Sequence, residues 1–185
     1  DAACAFGEAG SRDRDMAFQD ERVTLAHLGR RLADGDRTRD VGGSVTILAA
    51  GIDEEQLAVA SELAMVELLL SGCTTVADHH YVFSDALESA IDQQVETARR
   101  LGVRAALTRG SMSVGRDQGG LPPQSVVQDE ARILDDSRRL IRRYHQPEEG
   151  AMITVALAPC SPFSVSRELM QATAALAKAE GVRLH

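Results

Sequence analysis

Aromatic residues are scarce in this chain: two Tyr, four Phe and no Trp among 185 residues, so the core must be built from Ala, Val, Leu and Ile. Net positive charge is also missing. The formal net charge is −8, and no basic run or aromatic-studded basic stripe appears, which argues against a nucleic-acid surface. No apolar stretch approaches the length of a membrane span, and the N-terminus carries no secretory apolar core. Cysteine is rare: Cys4, Cys73 and Cys160 lie far apart, are odd in number and form no C-x-x-C. That pattern reads as reduced thiols in the cytoplasm, not as a disulfide or zinc-finger framework. What is present is ordinary, with 44% hydrophobic residues, enough for one globular domain.

The chain is organised around Ala151 to Val165, AMITVALAPCSPFSV. The uncharged run Ala151 to Ala158 suits a buried strand and is short for a helix, and Ile153, Thr154 and Val155 are β-branched. Pro159 lacks the N–H that a ladder needs, so the strand is expected to end there. Cys160, Ser161 and Ser164 then fall just past its carboxyl end, where parallel α/β proteins carry their chemistry.

Residues 1–48 are poorly readable, broken by Gly, Asp and Arg; one amphipathic helix is expected over Met16–Leu32, and its His27 is assigned no chemistry. From residue 49 onward the pattern is regular and is read as one domain, 49–185. Asp53 caps a helix running to about Leu70, and CTTVAD follows Gly72 as a strand. A second helix is expected from Leu87 to Leu101, leading past Gly102 into VRAALT. Ser125 and Gln128 fit a capping box for a third helix with Ile133, Leu134, Leu140, Ile141 and Tyr144 as its stripe. Ser166 caps a fourth, which ends at Gly181 before VRLH. Helix, glycine, short apolar strand and polar loop thus recur, which implies a parallel sheet in a (βα)₈ barrel or a doubly wound fold.

Candidate chemistry sits at the strand ends. His79 and His80 follow Asp78, but adjacent residues of an extended chain point to opposite faces and cannot readily grip one metal. One histidine is expected to be structural and one to line the mouth. Arg109 ends VRAALT and either meets an anionic or carbonyl group or pairs with a carboxylate. Cys160 lacks a partner base and reads as a small pocket-lining side chain or a weak thiol nucleophile. GSMSVGRDQGG (residues 110–120) has a G-x-x-x-x-G spacing, yet Arg116 and Asp117 stand where a phosphate loop needs Lys and Ser or Thr. His145 is expected to support a helix C-terminus, and Asp135 with Arg138 and Arg139 to be solvated surface.

The strings SGCTTVADHHYVF, TRGSMSVGRDQGGLPPQSVVQDE, RYHQPEEGAMITVALAPCSPFSV and GVRLH together resemble the amidohydrolase superfamily. They are most similar to the 8-oxoguanine deaminases of its chlorohydrolase and guanine-deaminase branch, and the resemblance runs from about Ile52 to His185. It implies a (βα)₈ TIM barrel of the metal-dependent hydrolase type, with zinc (or iron) at the carboxyl ends of the strands. The metal would lower the pKa of bound water to roughly 7, and the hydroxide would displace an amine from a purine-like or triazine heterocycle. Arg109 is expected to hold a carbonyl of the heterocycle and Cys160 to line the pocket beside it.

The family pattern is incomplete here. Its first strand bears an H-x-H pair, and residues 1–51 contain none; it continues GVRLH with T-H-L-A-E, so His185 is expected to neighbour a ligand. No metal ligand and no catalytic residue is therefore assigned to this sequence. The expectation is a partial barrel covering about strands two to five, from a deaminase converting 8-oxoguanine to urate and ammonia, the partial barrel itself inactive. An s-triazine or other aminated-heterocycle hydrolase is the alternative within the branch. A non-catalytic half-barrel that self-associates through open strand edges is the alternative from another class. Homo-oligomerisation is compatible with each.

Overall fold

The computed structural model describes residues 51–185. Three strands, β1 (Thr75–His80), β2 (Arg104–Ser111) and β3 (Ile153–Pro159), pair in parallel in the order β1-β2-β3. Helix α1 (Glu54–Leu70) precedes β1, while α2 (Ala90–Leu101), α3 (Glu130–Tyr144) and α4 (Arg167–Glu180) follow β1, β2 and β3 in turn. The expected helix over Met16–Leu32, with His27, and Cys4 lie outside the described residues.

Local chemistry accounts for most element ends. The Asp53 carboxylate accepts from the Gln56 N–H at 2.9 Å while the Gln56 side chain accepts from the Asp53 N–H at 3.2 Å, a capping box that starts α1. Ser166 Oγ accepts from Leu169 N–H at 3.0 Å and starts α4 as expected. Gly102 and Gly181 end α2 and α4 at φ 70° and 71°, a left-handed conformation that glycine adopts without steric cost.

Two helix starts and the VRLH strand differ from expectation, while β3 ends at Pro159 as expected. Helix α2 begins at Ala90 because Leu87 closes a turn onto the Ser84 carbonyl (2.9 Å) and is buried there. Asp129, not Ser125, caps α3: its carboxylate accepts from Arg132 N–H at 3.1 Å, and Ser125 lies in a single 3₁₀ turn. Pro159 is the last residue of β3, opposite Ser111, and Cys160 N–H supplies the next bond to Ser111 O at 3.1 Å. VRLH contributes one parallel bridge, Leu184 beside Leu157, with Leu157 N–H to Arg183 O at 3.0 Å and His185 N–H to Leu157 O at 2.8 Å.

Burial alternates along the central strands. Ala105, Leu107, Ile153, Val155 and Leu157 are buried against Ile91, Val95, Leu140 and Ile141 of α2 and α3, whereas Ala106, Thr154 and Ala156 on the opposite face are only half-buried. Each fully buried Leu or Ile contributes roughly 1.5–3 kcal/mol, so this one-sided core holds the helices to the sheet. A doubly wound sheet would have helices on both faces; helices on one face and small residues on the other follow the barrel plan. The small-residue face is the lumen side.

The outer edge of β3 is filled by side chains. His145, the residue after α3, accepts the Val155 N–H on its Nδ1 at 3.1 Å. Gln146 Oε1 accepts Ile153 N–H at 3.0 Å, and Gln146 N–H donates to Ile153 O at 3.1 Å. His145 therefore ties the helix end to a strand, which goes beyond the support of a helix terminus expected from its position.

Candidate active site at the strand ends

The carboxyl ends of β1, β2 and β3 bring together Asp78, His79, His80, Arg109, Gly110 and the Cys160–Ser164 turn, divided between two faces. In register, His80 lies beside Arg109, and Arg109 beside Leu157, all on the helix side. His79 pairs with Thr108 on the lumen side. The opposite facing expected for the two histidines is what the strand produces.

On the helix side, Asp78 accepts from the Gln94 amide of α2. The His80 ring meets Phe83 edge-on, with centroids 5.0 Å apart, and burial pushes its pKa down against the raising effect of Asp78. Arg109 is only 2% exposed. Its Nε donates to Asp136 Oδ2 at 3.0 Å and an Nη to Gln128 Oε1 at 2.8 Å; a third donor meets the Gly110 carbonyl. The guanidinium carbon stands 3.9 Å from the Phe83 ring centre, a cation–π arrangement. Burial lowers its pKa to about 10, opposed mainly by Asp136, so it stays charged at neutral pH. It forms part of a cavity of about 440 Å³ with Ser89, Asp92, Gln128, Asp136 and Arg139, between α2 and α3.

Asp136 is what sequence reasoning missed, since the acids of α3 read there as solvated surface. Asp135 fits that description, paired with Arg138 at 2.9 Å and 78% exposed. Asp136 does not: it is 17% exposed and bonded to both Arg109 and Arg139. Its spacing, three residues after Ile133 and four before Leu140, places it beside the buried stripe and was the available signal.

Cys160 occupies another position. Its half-buried side chain packs against Ile133, Val165 and Leu169, and burial raises its thiol pKa, with Ser164 opposing. A thiol so shifted is a poor nucleophile at neutral pH. Ser161 and Ser164 hydroxyls lie 2.8 Å apart. The loop after β2 docks on this turn: Ser113 and Val114 N–H groups donate to Ser164 O at 2.8 and 3.0 Å, and Leu121 N–H to Phe163 O at 3.0 Å. Gly120 allows that fold, since a Cβ there would lie 2.1 Å from Val114 O. Gly110 and Gly120 thus serve close backbone approach, whereas Gly119 ends a 3₁₀ turn at a left-handed φ of 84°.

On the lumen side the His79 ring lies 4.6 Å from the His185 ring and 5.7 Å from that of Tyr81, centre to centre. Gly110 backs this group: a Cβ there would come within 2.5 Å of Tyr81 Cβ.

A one-sided parallel sheet with polar residues gathered at its carboxyl ends is the plan of a TIM-barrel enzyme. The chain belongs to the amidohydrolase family, whose model matches residues 17–185. It is 57% identical to 8-oxoguanine deaminase of Pseudomonas aeruginosa over 136 residues, which are 74% of this chain and 30% of that protein. It is 33% identical to hydroxydechloroatrazine ethylaminohydrolase of Pseudomonas sp. (strain ADP), over 72% of this chain and 28% of that one. Among solved structures, atrazine chlorohydrolase from Arthrobacter aurescens, complexed with zinc, superposes with a TM-score of 0.69 at 31% identity, covering 90% of this chain and 36% of that one. This chain therefore spans about 30% of the length of the curated relatives it matches.

The zinc of that relative sets a test for the residues here. Among the described residues no group of three or more His, Cys, Asp or Glu side chains could hold a metal ion. His79 and His185 approach each other, but no third such residue completes a site with them among the described residues. The described residues alone do not make a metal centre.

Proposed function

We propose that this chain is part of a metal-dependent hydrolytic deaminase acting on 8-oxoguanine, and that it forms about strands two to five of the barrel. Water replaces the exocyclic amine on a ring carbon: one C–N bond breaks, one C–O bond forms, and urate and ammonia result. The observation that carries this reading is the 57% identity to the Pseudomonas aeruginosa deaminase, against 33% and 36% to the ethylaminohydrolase and an isoxanthopterin deaminase over similar lengths. Arg109 and Cys160 then belong to the recognition of the base, Arg109 as donor to a carbonyl and Cys160 as the small side chain beside it. For Arg109 this requires a base oxygen to replace Gln128 or the Gly110 carbonyl as acceptor. His79 and His80 are the remaining candidates for lining, with zinc or iron held by residues other than those described. The cytoplasm fits the separated thiols.

The test is ammonia release by the complete protein from 8-oxoguanine, isoxanthopterin and a hydroxytriazine. Preference for 8-oxoguanine is expected. Turnover confined to the hydroxytriazine would transfer the assignment to the triazine hydrolases, which the structural match to atrazine chlorohydrolase supports as the second reading.

A further inference from the structure

The lumen face near the strand ends carries mostly small side chains. Ala77, Ala106, Thr108 and Ala156 all face it, and Gly110 adds no side chain. Against this low floor stand three rings: Tyr81 over Gly110, His79 edge-on to Tyr81, and His185 against His79 at a 56° tilt. Tyr81 can sit there only because position 110 is glycine, since a Cβ would lie 2.5 Å from both Tyr81 Cβ and His80 O. Backbone is not displaced as easily as a flexible side chain, so the seat of Tyr81 is fixed by β2. His79 is fixed by the last pairs of β1 with β2.

Small residues with a fixed aromatic wall suit a flat ligand. A planar heterocycle offers a π face to an aromatic side chain whatever hydrogen-bonding groups it carries at its edge. We propose that His79 and Tyr81 form an aromatic corner for the heterocycle, one ring stacking on its face and the other, at 73° to the first, meeting its edge, with His185 closing one end. The proposal rests on the deaminase reading above and adds to it the residues on the lumen side that hold the base. His80, though adjacent in sequence, has no part in the corner, because it faces Phe83 on the helix side.

Equilibrium dialysis of the complete protein against 8-oxoguanine tests the corner. His79→Ala and Tyr81→Ala are each expected to weaken binding roughly tenfold, while Tyr81→Phe, which keeps the ring, stays near the parent value. Should an alanine variant fail to fold, His79→Leu and Tyr81→Leu replace it, keeping bulk without the π face, and the same loss is expected. Unchanged binding in these variants, or no binding by the parent protein, overturns the proposal. Ammonia release in the same preparations separates the two levels. Ring-dependent binding without ammonia release would sink the deaminase reaction and leave the corner standing. Ammonia release with ring-independent binding would do the reverse.

Discussion

Arg109 and Asp136 form a one-sided pair, and the two halves should respond unequally to removal. Arg109 is buried with a side-chain exposure of 1%, whereas Asp136 is 17% exposed and keeps Arg139 at 2.8 Å as a second cation. In Asp136→Asn the guanidinium retains neutral acceptors but loses the carboxylate that offsets its desolvation. Removing one partner of a fully buried pair costs about 3–5 kcal/mol; partial exposure of Asp136 and the oxygen kept by Asn reduce this to about 2 kcal/mol. In Arg109→Met the buried charge itself disappears, the methionine lies along the Phe83 ring, and Asp136 turns to Arg139. A volume-conserving change costs under about 1.5 kcal/mol when the Gly110 and Gln128 oxygens that lose their donor are reached by water. Urea denaturation reads the difference: with a slope of about 1–3 kcal/mol/M, Asp136→Asn should lower the midpoint by about 1 M and Arg109→Met by less. A midpoint for Arg109→Met at or below that of Asp136→Asn would refute the argument, because it would mean that the pair, and not the uncompensated charge, carries the energy. Base binding measured on Arg109→Ala is independent of this: binding equal to the parent would remove Arg109 from recognition.

Other consequences are simpler to state. His80 has its pKa lowered by burial, so the unfolded chain binds more protons below the ordinary histidine value. Stability from this group is complete above about pH 6.5 and declines as pH falls below it; His80→Phe should flatten that part of a urea-midpoint profile, and an unaltered slope would disprove it. His145→Ala leaves the Val155 N–H without its acceptor, at a cost of about 1–3 kcal/mol, and amide exchange at Val155 should quicken while that at Leu107 follows only global opening. Gly110→Ala drives a methyl into Tyr81 and the His80 carbonyl, and melting should fall by an amount corresponding to about 1–3 kcal/mol; an unshifted melt would show that Tyr81 is not seated there.

The alternation of helices and strands was legible because each segment carried its own signal: Asp53 with Gln56, Ser166, Gly102 and Gly181 mark ends by local hydrogen bonding and backbone geometry. Helix starts set by distant contacts were not. Leu87 reads as helix from its spacing, yet its burial belongs to a turn, and Ser89 is bound to Glu54 of α1 instead of capping α2. Family membership was readable from the long strings around β1, β2 and β3, and the match to residues 17–185 agrees with it. The site was less legible for a geometric reason. Neighbours on a strand diverge by face, so His79 and His80, alike in sequence, enter different environments that depend on register. Likewise nothing local links Arg109 to Asp136, 27 positions away, until α3 packs on the sheet.

The side chains at the outer edge of β3 have a consequence for how the next strand can arrive. Gln146 and His145 occupy the N–H groups of Ile153 and Val155, so an incoming strand finds open ladder positions only from Leu157 onward. Leu184 joins at that level, beside Leu157. The helix that follows β2 thus acts as a stop for the strand that follows α4, and the offset it imposes is a step in the stagger by which parallel strands tilt as they close into a barrel. The same stop denies foreign strands the lower half of that edge. Two polar residues after Tyr144 therefore set both the pitch of the barrel wall and its resistance to pairing out of register.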